Sequence, residues 1–321
     1  MTTSKAFLLR GFLFSIPLLV WTLVVVLVDP FNYFGVSPLI SEQIKIGNAA
    51  SLNSLLYNML KATREPHANL VIGDSRAESL PIDQITNHTF HRLTANALKL
   101  NEAIDLFYFA HRRAPLQRVI FTINFNQFNQ YAYADRVRSV EDMIHNPLLY
   151  LFDRNVAQAG FYVLKAAATD QKSINSNPAM DKREFWDFMV TVRGQEHYGR
   201  YRYPESLLQR IKEMVSFAKK NNTDVTFIIV PHHIDFQSRI REFGLMEDYM
   251  KFKRDMSRID ARVIDYDYQN VMTTNRSNFN DPIHYNQEFG RLIWNEVQRG
   301  PLKLGRLLDA KSPKEDTGFS F

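Results

Sequence analysis

Gly73-Asp74-Ser75-Arg76 stands where an apolar run, Leu70-Val71-Ile72, stops and polar, helix-compatible sequence begins. A serine in such a place can be a nucleophile. On a strand-to-helix turn its hydroxyl lies at the carboxyl edge of a sheet, and the unpaired N–H groups of the next turn face charge developing on a substrate oxygen. The same residues also make a plain loop in which Asp74 and Ser75 cap the following helix. A second group near the far end, Asn280-Asp281-Pro282-Ile283-His284-Tyr285-Asn286, shifts the balance. Acyl transfer by serine needs a base to take the hydroxyl proton and a carboxylate to fix the imidazole tautomer, and their order along the chain differs between folds. Asp281 and His284, three positions apart before an amphipathic helix, can supply both from one turn. The bland alternative for His284 is a structural histidine.

Together the two groups resemble the SGNH, or GDSL-type, hydrolase superfamily, whose first block is Gly-Asp-Ser and whose last is Asp-x-x-His. Here these are Gly73-Asp74-Ser75 and Asp281-Pro282-Ile283-His284. The resemblance implies Ser75 as nucleophile, His284 as base and then acid, and Asp281 as the group that orients the ring. It also implies oxyanion donors. These are the N–H of Ser75, a second-block N–H for which Ala95 or Asn96 stands in place of the family's glycine, and the side chain of Asn124. Asn124 is what Thr122-Ile123-Asn124-Phe125 keeps of the third block, Gly-x-Asn-Asp, and it equally suits a strand-end asparagine bonding its own turn. With the anchor described below, the chain looks like the membrane-tethered SGNH-like proteins with which bacteria modify exported polysaccharides beside a polytopic membrane-bound O-acyltransferase. That implies a polysaccharide acceptor, such a partner and no cofactor, with O-acyltransferase and esterase both open. A catalytically weak binding or scaffold subunit is the alternative.

A nucleophile so placed needs a sheet to stand on. After the first strand, Phe90 to Ala97 predicts a second, Leu100 to Arg113 a helix, and Arg118 to Asn124 a third strand. Strand, helix, strand at this spacing marks parallel βαβ units. The sheet resumes with Asp224 to Val230 after a helix over Pro204 to Lys220, and with Arg262 to Asp265 after a long polar helix over Phe236 to Ser257; a helix over Tyr285 to Val297 closes it. The fold class expected is α/β, a single SGNH-like (flavodoxin-like) parallel sheet with helices on both faces. Ligands gather beyond the carboxyl ends of such strands. Four ends are visible: Gly73-Asp74-Ser75, Ala95-Asn96-Ala97, Asn124-Phe125-Asn126 and Pro231-His232-His233. Asp74, Arg76, His232 and His233 therefore join the site as weaker candidates for holding substrate. Arg76 suits either an anionic group or a solvated position. Adjacent histidines on an extended segment point to opposite faces, and with no matching carboxylate pair they do not predict a metal site.

Gly11 to Val28 contain no charged side chain, and at about 1.5 Å per residue they nearly span a hydrocarbon core of roughly 30 Å. Lys5 and Arg10 precede them without an acidic residue, so the positive-inside rule leaves residues 1–10 in the cytoplasm. A cleaved signal peptide is the rival reading, but Val28-Asp29-Pro30 offers no small-x-small cleavage site. The expectation is an uncleaved single-pass anchor over 11–28 in a bacterial inner membrane, with Phe31, Tyr33 and Phe34 as an interfacial aromatic cluster. A juxtamembrane segment, 29–66, carries a helix over Ala49 to Arg64; the SGNH-like domain takes 67–298, outside the cytoplasm, and 299–321 reads as a loose tail. Between Asn126 and Tyr203 the rhythm breaks, and two helices (Val140 to Phe152, Val156 to Ala168) with a polar loop at 170–182 predict an insertion over the sheet edge. A chain of 321 residues with 45% apolar content can bury a large core and is not disordered. The net charge of +5 is spread without a Lys/Arg block, so nucleic acid is not an expected partner, whereas anionic lipid headgroups or an acidic polymer fit. The absence of cysteine excludes disulfides and cysteine-ligated metals.

Overall fold

Runs of Val, Ile, Leu and Phe bounded by polar residues form the strands: β1 (Asn69–Gly73), β2 (His91–Thr94), β3 (Arg118–Ile123), β4 (Asp224–Ile229) and β5 (Arg262–Asp265). The computed structural model describes residues 3–36, 40–83, 89–169 and 180–309. With a two-residue strand, β6 (Arg306–Leu307), they form one sheet in the order β2-β1-β3-β4-β5-β6. All pairings are parallel except β5 with β6. The molecule is thus an α/β protein with the doubly wound strand order of flavodoxin-like sheets and one antiparallel edge strand.

Strand side chains alternate between two buried faces. Val71, Ile120, Ile228 and Ile264 pack with Phe289, Ile293 and Trp294 of the helix Gln287–Arg299. On the other face Phe121 stacks on Phe227 and meets Phe107 of the helix Leu100–His111, which in turn touches Phe217 of the helix Glu205–Lys220. The register puts Gly73 beside Thr94, and Ile229 beside both Ile123 and Asp265, so the strands stop at a common edge. Two expectations change. The helix predicted over Phe236 to Ser257 is two helices, Ile234–Glu242 and Met246–Met256, because Gly244 takes φ +70°, a left-handed conformation that ends the first. The start of the predicted tail is tied to the sheet: Glu296 accepts the N–H groups of Lys303, Leu304 and Gly305 and so aims Arg306–Leu307 at β5. Residues 310–321 of that tail lie outside the described residues.

The chain divides into two units, Met1–Lys61 with Arg138–Pro178, and Ala62–Val137 with Ala179–Phe321; the sheet belongs to the second. The segment 126–203, expected as one insertion, is therefore split. Its helix Arg154–Thr169 turns Val156, Ala159, Val163 and Ala166 inward against the N-terminal helix and the turn Ile46–Ala50. The helix expected over Val140 to Phe152 is broken at Asn146-Pro147 into Arg136–His145 and Pro147–Leu151. Most of the loop expected at 170–182 lies outside the described residues; Asp181 caps the next helix, Lys182–Phe188.

In the first unit, α1 (Thr3–Val28) starts before the uncharged stretch and is the one helix among the described residues long and apolar enough to cross a membrane. Phe12, Phe14, Leu18, Leu23 and Leu27 point outward from it. Beyond its end, Asp29 accepts the N–H groups of Phe34 and Gly35 and folds the chain back on itself. Phe31 is fully buried, and Tyr33 stacks on Tyr150 at 4.2 Å. The expected interfacial aromatics are in this respect a packed cluster around Tyr150.

Candidate functional site

The first site element is the end of β1. A side chain at Gly73 would meet Thr122 Oγ1 of β3 at 1.8 Å, so glycine is what allows the two strands to stay paired up to their ends. Asp74 follows in extended conformation, and its carboxylate accepts the Arg76 N–H at 3.0 Å, capping the 3-10 turn Ser75–Ser79. Ser75 is the first residue of that turn. Its N–H donates to no group among the described residues, as the geometry of a helix start requires.

The second element is a tight loop before the helix Gln287–Arg299. Phe279 and Tyr285 bridge in antiparallel fashion, the Asn280 N–H donates to the His284 carbonyl, and Asn286 caps the helix through Phe289 N–H. Inside the loop Asp281 Oδ1 accepts the N–H groups of Ile283 and His284 at 2.8 and 3.0 Å, leaving Oδ2 for the ring. The exit of β4 braces the loop from below, since the His233 N–H donates to the Pro282 carbonyl.

The two elements are in direct contact. The Ser79 hydroxyl donates to the Tyr285 carbonyl, and Gly290 lies so close that a Cβ there would sit 2.0 Å from the Ser79 carbonyl oxygen. Ser75 Oγ lies 2.9 Å from His284 Nε2, and His284 Nδ1 lies 2.7 Å from Asp281 Oδ2. Burial pushes the Asp281 carboxyl up, but the hydrogen bond and charge of His284 and the two loop N–H groups outweigh it and hold the group below its ordinary value. An ionised Asp281 takes a proton donor at Nδ1, which leaves the Nε2 lone pair turned to the Ser75 hydroxyl. Such a set can deprotonate the serine. The imidazole keeps 31% of its surface exposed, so the reacting atoms are reachable from solvent.

The other predicted groups lie mostly in the interior. Arg76 is 2% exposed; its Nε and Nη2 grip Asp74, and its Nη1 donates to Asn126 Oδ1 and His232 Nε2 at 3.2 and 2.8 Å. Asp74 also accepts from Gln127 Nε2 at 3.1 Å. Burial would raise its carboxyl, and the Arg76 charge overcomes this and lowers it. The expectation that Asp74 and Arg76 hold substrate is corrected: each already has the other as counter-ion, beneath the turn that carries Ser75. His232 is buried completely and is kept neutral by burial first and then by the Arg76 charge. It too faces inward, so it is withdrawn from the substrate groups. His233 caps the helix Ile234–Glu242 by accepting the Asp235 N–H, with its ring against Trp186 and Phe279, and it serves the fold rather than a ligand.

The expected oxyanion groups fare unequally. The Ala95 N–H donates to the Gly73 carbonyl, extending the β1–β2 ladder, and is spent there. Asn124 uses both amide hydrogens inside, on the Val230 carbonyl at 2.6 Å and Asp267 Oδ2 at 3.3 Å. Asn96 is exposed at the turn after β2, and its carbonyl accepts from Arg136. Of the four, the Ser75 N–H is the one the structure leaves open beside the hydroxyl.

Three residues that sequence reasoning missed complete the buried network. Asp267 accepts from the His232 N–H, from Gln237 and from Asn124, and burial pushes its carboxyl up to about 6. His197, lowered to about 4 by burial and then by Arg76, accepts weakly from Asn126 Nδ2 at 3.4 Å. Gln127 joins Asp74 to the Leu98 carbonyl. Asp267 had a legible signal, because it follows the end of β5, a fifth strand end to which the same edge rule applies.

No protein-family model and no curated protein matches the chain. Among solved structures, a candidate platelet activating factor from Streptococcus pneumonia aligns over 74% of this chain and 87% of its own, with 10% identity and a TM-score of 0.40. A candidate acylhydrolase from Bacteroides fragilis NCTC 9343 aligns over 74% and 91%, again with 10% identity, at a TM-score of 0.39. A likeness this remote decides nothing about function, which has to come from the residues themselves.

Proposed function

We propose that this chain is a membrane-anchored serine acyl-transfer protein whose sheet domain lies outside the cytoplasm, an O-acyltransferase or carboxylic-ester hydrolase acting on a cell-surface or exported polysaccharide. The observation that supports the chemistry best is the run Ser75 Oγ, His284 Nε2, His284 Nδ1, Asp281 Oδ2, with gaps of 2.9 and 2.7 Å at the carboxyl edge of a parallel sheet. As Oγ attacks an acyl carbon, Nε2 takes its proton, Asp281 holds the resulting imidazolium, and the Ser75 N–H meets the oxyanion. The imidazolium then gives its proton to the leaving oxygen, and the acyl group stays on Ser75. In the second half a sugar hydroxyl or water loses its proton to Nε2 and attacks the acyl carbon, and Oγ recovers its proton. Transferase and esterase differ only in that acceptor. The polysaccharide, and a polytopic membrane-bound O-acyltransferase as donor, rest on the resemblance to membrane-tethered SGNH-like proteins; the anchor rests on the length and outward apolar surface of α1.

A fluorophosphonate probe tests the chemistry. Wild-type protein becomes labelled at Ser75, Ser75→Ala does not, and Asp281→Asn slows labelling by about 10³- to 10⁴-fold because the ring loses its tautomer. A folded wild-type chain that takes no label removes the proposal. One observation favours a second reading, a catalytically weak binding or scaffold subunit: Ala95 and Asn124, expected donors, are spent inside. Each missing donor costs about 2.7–4 kcal/mol of barrier stabilisation.

A further inference from the structure

We propose that the helices Pro147–Leu151 and Arg154–Thr169 form a second membrane contact, lying in the headgroup–acyl boundary of the leaflet from which α1 emerges. The inference rests on the reading of α1 as a membrane anchor and concerns only the first unit. Trp21 fixes the level. Its indole N–H donates to the Leu151 carbonyl at 2.9 Å, so the end of the short helix is tied to the side of α1. The uncharged stretch of α1 is barely long enough to span a bilayer, so Val28 stands near the boundary. Trp21, seven residues earlier, then lies up to about 10 Å beneath it. A helix-terminal carbonyl at that level has little water to bond, and the indole N–H is the donor it finds.

The outward surfaces of the two helices suit this place. Leu148, Leu149, Phe152, Phe161 and Leu164 are 61, 48, 53, 63 and 42% exposed, a concentration of apolar area that a surface bathed in water avoids. The inward face is filled by Val156, Ala159, Val163 and Ala166, packed toward α1 and the turn Ile46–Ala50, so the outward residues are not part of that contact. Backbone groups at the joint between the helices are satisfied within the chain. The Phe152 N–H reaches the Leu148 carbonyl, the Asp153 N–H reaches the Tyr150 carbonyl, and the Asp153 side chain caps Asn155 and Val156. Arg154 and Lys165 are exposed, with stems long enough to carry their charges up to the headgroups. The occupant of this face is therefore lipid: acyl chains against the leucines and phenylalanines, phosphates against the two cations.

The cysteine-free chain makes the test direct. Full-length protein is reconstituted in phosphatidylcholine–phosphatidylglycerol vesicles with one spin-labelled cysteine at Leu149 or Phe161, at Leu18 as the anchor reference, or at Lys212 as the aqueous reference. The expected result is an oxygen-to-nickel accessibility ratio at 149 and 161 several-fold above that at 212 and nearer to that at 18. Labels at 149 and 161 that behave like 212, while 18 reads lipid, overturn the inference and leave the anchor standing. A label at 18 that reads aqueous overturns both. The unsubstituted chain gives an independent reading: a carbene reagent partitioned into the bilayer tags peptides from 147–169 as well as from α1. Tags confined to α1 refute the second contact and point to a protein partner or bare surface there.

Discussion

Asp267 carries the clearest consequence of burial at the level of single residues. Its folded carboxyl titrates near 6 against an ordinary value of 3.8, so between those values the native state binds more protons than the unfolded chain. Its contribution to stability is whole below about 3.8 and is lost as pH rises toward 6, by up to about 3 kcal/mol. Asp74 and Asp281 have the opposite sign. Their folded carboxyls are lowered, so what they add is present above the ordinary carboxylate value and is lost as pH falls through their folded values. Asp267→Asn removes one titration and leaves the other two. Urea denaturation across pH 4 to 7 is expected to show the variant gaining on wild type by about 3 kcal/mol as pH rises, on top of any constant cost of the amide. A difference between the two that stays flat with pH refutes the assignment.

Among elements, the contact between the turn Ser75–Ser79 and the helix Gln287–Arg299 sets the spacing of the reacting atoms. A Cβ at Gly290 would collide with a backbone oxygen, which cannot rotate away as a side chain can. Gly290→Ala is expected to cost about 1–3 kcal/mol of stability and to lower kcat about 100-fold by spreading Ser75 from His284, measured by thermal unfolding and ester turnover. Gly160→Ala, with open space around it, is expected to leave turnover unchanged and to gain up to about 1 kcal/mol. Unchanged turnover in Gly290→Ala means that the contact does not position the site. The main elements were legible in the chain because their signals are local. Apolar runs ending in Gly73-Asp74 and Asn124 are strands wherever they pack, and the expected β1, β3, β4 and β5 lie within a residue or two of those observed. The break at Gly244 was not legible, since amphipathic spacing continues through it and only the backbone conformation stops the helix. The burial of Arg76 was not legible either: it depends on Asp74, Asn126 and His232, which reach it from three different loops. For the same reason Asn124 resembled a catalytic amide until its carbonyl and carboxylate partners were in view.

For the molecule as a whole, the charge pattern around α1 sets the expected topology. Lys5 and Arg10 stand on one side of the uncharged stretch, and under the proposed anchoring the sheet unit is expected on the other. A reporter that is active only outside the cytoplasm, fused after Phe321, is expected to work in cells, and activity seen only with a cytoplasmic reporter reverses the orientation. Division of the chain into two units adds a further expectation for sequence reading. Segment 138–178 sits between β3 and β4 in sequence yet groups with the N-terminal unit, so linear order alone could not assign it. The pairing of positions 75 and 284 across 209 residues also has a bearing on biosynthesis. The serine is synthesised long before its base, which arrives in the loop just ahead of the helix Gln287–Arg299. A chain that stops short of His284 holds Ser75 without its base, and is expected to be inert toward esters until that loop has been added.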